Sequence, residues 1–160
     1  MRLPVPDRFE KLDKIDEKLI VELTTEARLP IAELARRVGL SKTPVQVRLK
    51  RLEENGVIRG YRAMLDPVQL GLDHVAFVEV RLSDTREKAL SAFNDAVGEV
   101  PEVEECHMIA GAFDYLLKVR TRDIARYRQV LGERISSLPY VSHTSTHVAM
   151  QAVKDVGIVT

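Results

Sequence analysis

The apolar positions of the chain change their period near residue 62. Before it they recur at helical spacing. Leu12, Ile15, Leu19, Ile20 and Leu23 form one stripe and predict an amphipathic helix. Ile31, Leu34, Ala35 and Val38 form a shorter stripe that stops at Gly39, where a left-handed glycine ends a helix and turns the chain. Val45, Leu49 and Leu52 point inward from a third helix, which ends near Asn55-Gly56. Its start is signalled by Thr43 as a cap, Pro44 in the first turn and Gln46 at a capping-box position; Ser41 is a competing cap. Two helices joined by so short a turn, the later one basic, have the sequence form of a helix-turn-helix.

Beyond residue 56 the pattern turns to strands. Residues 57–65 read as a strand or small hairpin, which Asp66-Pro67 breaks. Residues 74–82 alternate, with Ala76, Val78, Val80 and Leu82 on one face and Val75 and Phe77 on the other. Ala89, Leu90, Phe93, Ala96 and Val97 predict a helix, residues 103–109 and 115–120 two strands, Ile124, Tyr127, Val130, Leu131 and Ile135 a second helix, and residues 141–150 a last strand. The order β-α-β-β-α-β is that of a ferredoxin-like split unit, in which both helices cover one face of an antiparallel sheet. Apolar residues on both faces of the first strand call for a cover on the other face, and a second copy of the domain is the simplest one. The fold expected is therefore α+β. Residues 1–62 form a helix-turn-helix domain, 63–73 a strand or linker, 74–154 a ferredoxin-like sensing and oligomerisation domain, and 155–160 a tail.

Composition narrows the class. A 45% hydrophobic and 30% charged chain of 160 residues is that of an ordinary folded protein. No apolar run is long enough to span a membrane, and residues 1–14 lack the apolar core of a signal peptide, so a cytoplasmic location is expected. The single cysteine, Cys106, excludes an internal disulfide framework and is expected in the core. Charge carries more information once it is divided. The net charge is zero, yet Arg36, Arg37, Lys42, Arg48, Lys50, Arg51, Arg59 and Arg62 face only Glu53 and Glu54 within residues 36–62. That basic segment on a neutralising body is the distribution of an anion-binding head.

The third helix places Thr43, Gln46, Val47, Lys50 and Arg51 away from its apolar stripe, as major-groove reading requires. Gln46 suits an adenine edge and Val47 a thymine methyl, whereas Lys42, Lys50 and Arg51 suit phosphates. Arg48 lies at the edge of the stripe, where it is equally a phosphate ligand or a structural ion-pair partner. With Ser41 at the helix start, these residues form the candidate DNA-binding set.

In the second half the loop Ala110-Gly111-Ala112-Phe113-Asp114 joins two strands. Its backbone N–H groups suit a ligand carboxylate and Asp114 an ammonium, the two charges of a free amino acid; an ordinary hairpin turn is the alternative. His74, His107, His143 and His147 have no metal-ligand spacing, and the adjacent strand residues Cys106 and His107 point to opposite faces. No catalytic set, metal site or glycine-rich phosphate loop can be assembled, so neither enzymatic activity nor a cofactor is expected.

These residues together resemble a known family. Leu12-Asp13-Lys14-Ile15-Asp16, the stretch from Leu34 to Ser41, Pro44, Arg48, Arg51-Leu52-Glu53 and Gly56-Val57-Ile58 are similar to the DNA-binding half of the Lrp/AsnC transcription regulators. Glu105-Cys106-His107, Gly111, Phe113-Asp114-Tyr115-Leu116-Leu117-Lys118, Tyr127-Arg128, Leu131-Gly132-Glu133 and Leu138-Pro139 resemble its leucine-responsive branch. The resemblance implies a winged helix-turn-helix on a ferredoxin-like sensor, with dimers assembled into octamers or similar discs. It also implies double-stranded DNA as partner and an amino-acid effector bound between sensor domains. The implied pocket comprises Met108, Gly111, Ala112, Phe113, Asp114, Ile124, Thr144, Thr146 and His147. His147 stands where that branch has tyrosine and Ile124 where it has methionine, so the pocket wall departs from that of leucine sensors, and leucine and proline are both candidate effectors. A DNA-wrapping architectural protein of the same fold, needing no ligand, is the alternative.

Overall fold

The computed structural model of the chain describes residues 12–154. They fall into two compact units that divide between Ala63 and Met64.

The first unit holds three helices, α1 (Lys14–Thr25), α2 (Ile31–Val38) and α3 (Lys42–Glu54). Asp13 caps α1 by accepting from the N–H groups of Ile15 and Asp16, and the Asp16 carboxylate accepts from Asp13 N–H in return. This reciprocal capping box satisfies donors that the first helical turn leaves unpaired. Gly39 ends α2 in the left-handed region, at φ 76°. Ser41 is the N-cap of α3 rather than Thr43, and its hydroxyl makes no capping bond. The reason is local: the third position of the helix is Pro44, which has no N–H to offer a capping oxygen. Leu19, Leu29, Leu34, Ala35, Val38, Val45 and Leu49 close the core.

The strand expected over residues 57–65 does not form; the only ladder contact there is an isolated bridge at Leu65. Its apolar residues serve the helix instead. After Gly56 turns the chain at φ 70°, Ile58 donates its N–H to Leu52 O and packs on the core of the three helices. Residues 66–72, expected as part of a connection, make a turn belonging to the second unit. Leu72 N–H donates to Pro67 O at 2.8 Å, and Arg120 reaches Leu72 O at 3.1 Å.

The second unit is ferredoxin-like. Its elements run β1 (His74–Leu82), α4 (Glu87–Gly98), β2 (Val103–Met108), β3 (Tyr115–Thr121), α5 (Ile124–Val130) continuing into a π-helical turn (Leu131–Ile135), and β4 (Val141–Val148). The four strands are antiparallel in the order β2-β3-β1-β4. Ala76, Val78 and Val80 of β1 and Tyr115, Leu117 and Val119 of β3 pack under Phe93, Val97, Tyr127, Val130 and Ile135 of the helices.

On the opposite face Val75 is buried, but Phe77 is 38% exposed and lines an open groove of about 970 Å³ together with Lys118 and residues 149–154. Cys106, expected in the core, is exposed. It lies on the edge strand β2, opposite Leu117, and the outer end of that strand is not covered.

Candidate DNA-reading helix and effector loop

Around α3 the side chains sort into three groups. Val45, Leu49 and Leu52 are buried. Thr43, Gln46, Val47 and Lys50 stand exposed, Val47 at 65%. Ser41 and Lys42 are exposed at the N-terminal end of the same helix. Its unpaired N–H groups make that end favourable to phosphate oxygens.

Arg48 and Arg51 form the third group, on the flank that faces α1. Arg48 Nη1 lies 2.6 Å from Asp13 and 2.8 Å from Asp16, and Arg51 Nη2 lies 2.7 Å from Asp16. The structure therefore gives Arg48 an ion-pair role, and gives Arg51, which the sequence suggests as a phosphate ligand, the same one.

Asp16 is fully buried, a placement that its charge alone does not predict. A signal was nevertheless present: the carboxylate sits on the apolar stripe of α1, between Ile15 and Leu19, where only a paired charge is tolerable. The Asp13 carboxyl is held below the ordinary carboxylate range, first by the Asp16 N–H it caps and also by Arg48.

The bases of α2 are likewise engaged. Arg36 and Arg37 both bind Glu33, and Arg37 also reaches Glu22 at 2.8 Å. These guanidiniums hold the Glu33 carboxyl down at about 2. Among the described residues Lys50 meets Glu54, at 3.6 Å with both side chains exposed, a pairing that solvent screens.

In the second unit the loop over residues 110–114 is fastened to the end of β1. Asp114 N–H donates to Val80 O at 2.9 Å, and one Asp114 carboxylate oxygen accepts from Leu82 N–H at 2.7 Å. Gly111 and Ala112 are exposed, and Phe113 is half-buried. Gly111 is outside the left-handed region, and an added Cβ would meet Ile109 Cγ2 at 3.5 Å, an ordinary contact. Neither backbone nor packing demands glycine at this position.

The other candidates distribute unevenly. Met108 precedes the loop on β2 and is 57% exposed. Thr144 pairs with Val80, whose carbonyl receives Asp114 N–H, so it stands one strand away from the loop. Thr146 is bound by the Tyr127 hydroxyl at 2.5 Å, on the helix side of the sheet, and Ile124 is exposed at the start of the same helix.

His147 pairs with Phe77 on the opposite face, where its Nε2 meets Glu79 at 3.1 Å. Strand alternation alone separates it from Thr144 and Thr146. Ile124 follows Thr121, which pairs with His74 at the far end of β1 from Leu82, a span of about 27 Å along the strand. One chain thus brings Met108, Thr144 and the loop to one end of the sheet and Ile124 to the other.

Two sequence-family patterns match the chain. That of a winged helix-turn-helix DNA-binding domain covers residues 12–59, and that of the Lrp/AsnC ligand binding domain covers residues 75–159. The proline dehydrogenase transcriptional activator of Rhizobium radiobacter is 63% identical over 94% of this chain and 97% of its own. The leucine-responsive regulatory protein of Escherichia coli K12 is 44% identical over 89% of this chain and 87% of its own. Among solved structures, a transcriptional regulator of Neisseria meningitidis in complex with L-methionine superposes with a TM-score of 0.83. It is 32% identical and covers 91% of this chain and 94% of its own. Among the described residues no helix is long and apolar enough to cross a membrane.

Proposed function

The chain belongs to the Lrp/AsnC family of transcription regulators, which are DNA-binding proteins rather than enzymes, and from that premise we propose that it responds to a small amino acid, with proline its effector. The observation that carries this reading is the 63% identity, along nearly the whole of both chains, to a proline dehydrogenase transcriptional activator. Ile124 agrees with it, since it departs from the leucine-responsive branch; His147 departs as well but lies on the opposite face of the sheet and carries no weight here. The protein would then act on genes of proline catabolism, reading DNA with Thr43, Gln46 and Val47 and resting on phosphates with Ser41, Lys42 and Lys50.

The effector would sit on the loop of residues 110–114. Exposed backbone there suits its carboxylate, and the second Asp114 oxygen suits its ammonium. Gly111, which neither fold nor packing requires, supports a close approach of ligand to main chain. Met108 and Thr144 flank the loop, whereas Ile124 and Thr146 would line the same pocket from another copy of the chain. The face carrying Phe77 and His147 would pair two copies into a dimer, and dimers would join around the effector.

A thermal-shift comparison tests this. Proline at about 100 times its dissociation constant stabilises the folded state by about 2.7 kcal/mol and raises the melting temperature accordingly, whereas leucine and methionine leave it unchanged. A shift with leucine alone would return the chain to the leucine-responsive group. No shift with any amino acid, alongside undiminished DNA binding, would favour the ligand-independent architectural role.

A further inference from the structure

The first unit carries a four-membered charge cluster whose role differs from that of the other bases. Asp16 is completely buried, both of its oxygens are engaged, and two of its partners come from α3. Asp13, the N-cap of α1, contacts Arg48 at 2.6 Å and donates its own N–H to Asp16 at 3.2 Å. Two carboxylates face two guanidiniums, so the cluster is neutral. A guanidinium committed to a buried carboxylate must leave it to meet a phosphate, and the abandoned buried charge makes that exchange unfavourable. The cluster also spans 32 to 35 residues of sequence, tying the start of α1 to the middle of α3.

Arg48 and Arg51 lie on one flank of α3, and Thr43, Gln46 and Lys50 on the other, with Val47 between them, as about 100° of rotation per residue requires. A small roll of α3 on the core would move the reading flank without breaking an apolar contact outright, because Val45, Leu49 and Leu52 meet their neighbours through non-directional packing. A directional constraint on that roll is the set of three guanidinium–carboxylate contacts.

We propose that Asp16 is a positioning residue for DNA recognition: through Arg48 and Arg51 it sets the rotation of α3, and those two arginines are withheld from the phosphate backbone. The bases left to neutralise phosphates on this helix are Lys42 and Lys50. This inference rests on the reading of α3 as the DNA-contacting helix, which the same experiment tests separately.

The full chain is titrated over a series of salt concentrations with two duplexes. One is enriched from a random-sequence pool by the wild-type protein, and the other is a shuffled duplex of the same length and composition. Lys50→Gln reduces the slope of log K against log salt by about 0.9 on both duplexes, the loss of one phosphate contact. Arg51→Gln leaves the slope unchanged and lowers the ratio of selected to shuffled affinity by about tenfold, the worth of one base contact; Arg51→Lys restores part of that ratio. Asp16→Asn adds a unit of positive charge, so binding to the shuffled duplex is held or strengthened while binding to the selected one falls. A general loss of folded protein would lower both together.

The proposal is overturned if Arg51→Gln reduces the slope as Lys50→Gln does, or if Asp16→Asn preserves the ratio. An unchanged slope in Lys50→Gln overturns the assignment of α3 itself, and with it this inference. Should Asp16→Asn be unfolded at the assay temperature, by its circular dichroism, Arg51→Gln decides alone, because its side chain is 44% exposed and its loss leaves the core intact.

Discussion

On α3, Thr43, Gln46, Val47 and Lys50 lie together on the exposed side of a single helix. In the sheet domain, the residues expected to hold an effector lie at opposite ends of β1, with His147 on the other face altogether. The first arrangement is complete within one chain, because a helix repeats its faces every few residues and needs only a core to lean on. The second is incomplete in one chain. Strands carry neighbouring residues to opposite sides and distant residues to opposite ends, so a pocket built from them needs another surface to close it. On the proposed reading, DNA recognition would be a property of the helical unit, whereas sensing would be a property of an assembly.

The largest expected effect strikes the helical unit. Asp16→Ala leaves Arg48 and Arg51 without their buried partner and costs about 3–5 kcal/mol of unfolding free energy, measured by urea denaturation with intact slope. A loss under about 1 kcal/mol would mean that the cluster contributes as little as a surface pair.

Next come two substitutions at Asp114, which separate anchoring from sensing. Asp114→Ala removes the acceptor for Leu82 N–H and lowers stability by about 1–2 kcal/mol. Asp114→Asn keeps an oxygen there and retains stability, and on the proposed reading it loses the thermal response to proline, since the charge proposed to face the ammonium is gone. An intact response in Asp114→Asn would reduce the loop to a turn.

Smaller again is Gly111→Ala, whose effect on stability should stay within about 0.5 kcal/mol. Its effector affinity nonetheless falls, because the methyl occupies the line of approach to the backbone. Equal affinity in calorimetric titration would show that the ligand never comes so near.

The least effect is electrostatic and depends on pH. The Glu33 carboxyl sits at about 2 in the folded chain against an ordinary 4.5, so its contribution is fully present above about pH 4.5 and fades as pH falls toward 2. The difference in melting temperature between the wild type and Glu33→Gln should accordingly close over that interval. A difference that persists at the acid end would assign it to packing rather than charge.

Much of this organisation was legible in the residues. Gly39 marks the end of α2, and Val78, Val80 and Leu82 alternating with Glu79 and Arg81 mark β1. What escaped did so for identifiable reasons. The start of α3 is ambiguous in the sequence because Ser41 and Thr43 have the same capping chemistry, and Pro44 suits the first turn after either of them. Residues 57–65 have strand-like composition, but Ile58 completes the end of a helix, a use that local pattern does not distinguish from a ladder. The partners of Arg48 and Arg51 lie more than thirty residues away, and charge tallies carry no information on pairing at that distance. The separation of His147 from Thr146, by contrast, was available from alternation alone. A family correspondence groups positions by effect and does not distinguish the faces of a strand.

The neutral cluster between α1 and α3 also bears on how such a protein could acquire new targets. On the proposal that the helix is seated by positions 48 and 51 and its core residues, the identities at 43, 46, 47 and 50 would be free to change without unseating it. Seat and readout are separately inheritable on one short helix, so a library varied only at those four positions should yield folded proteins with altered operator preference.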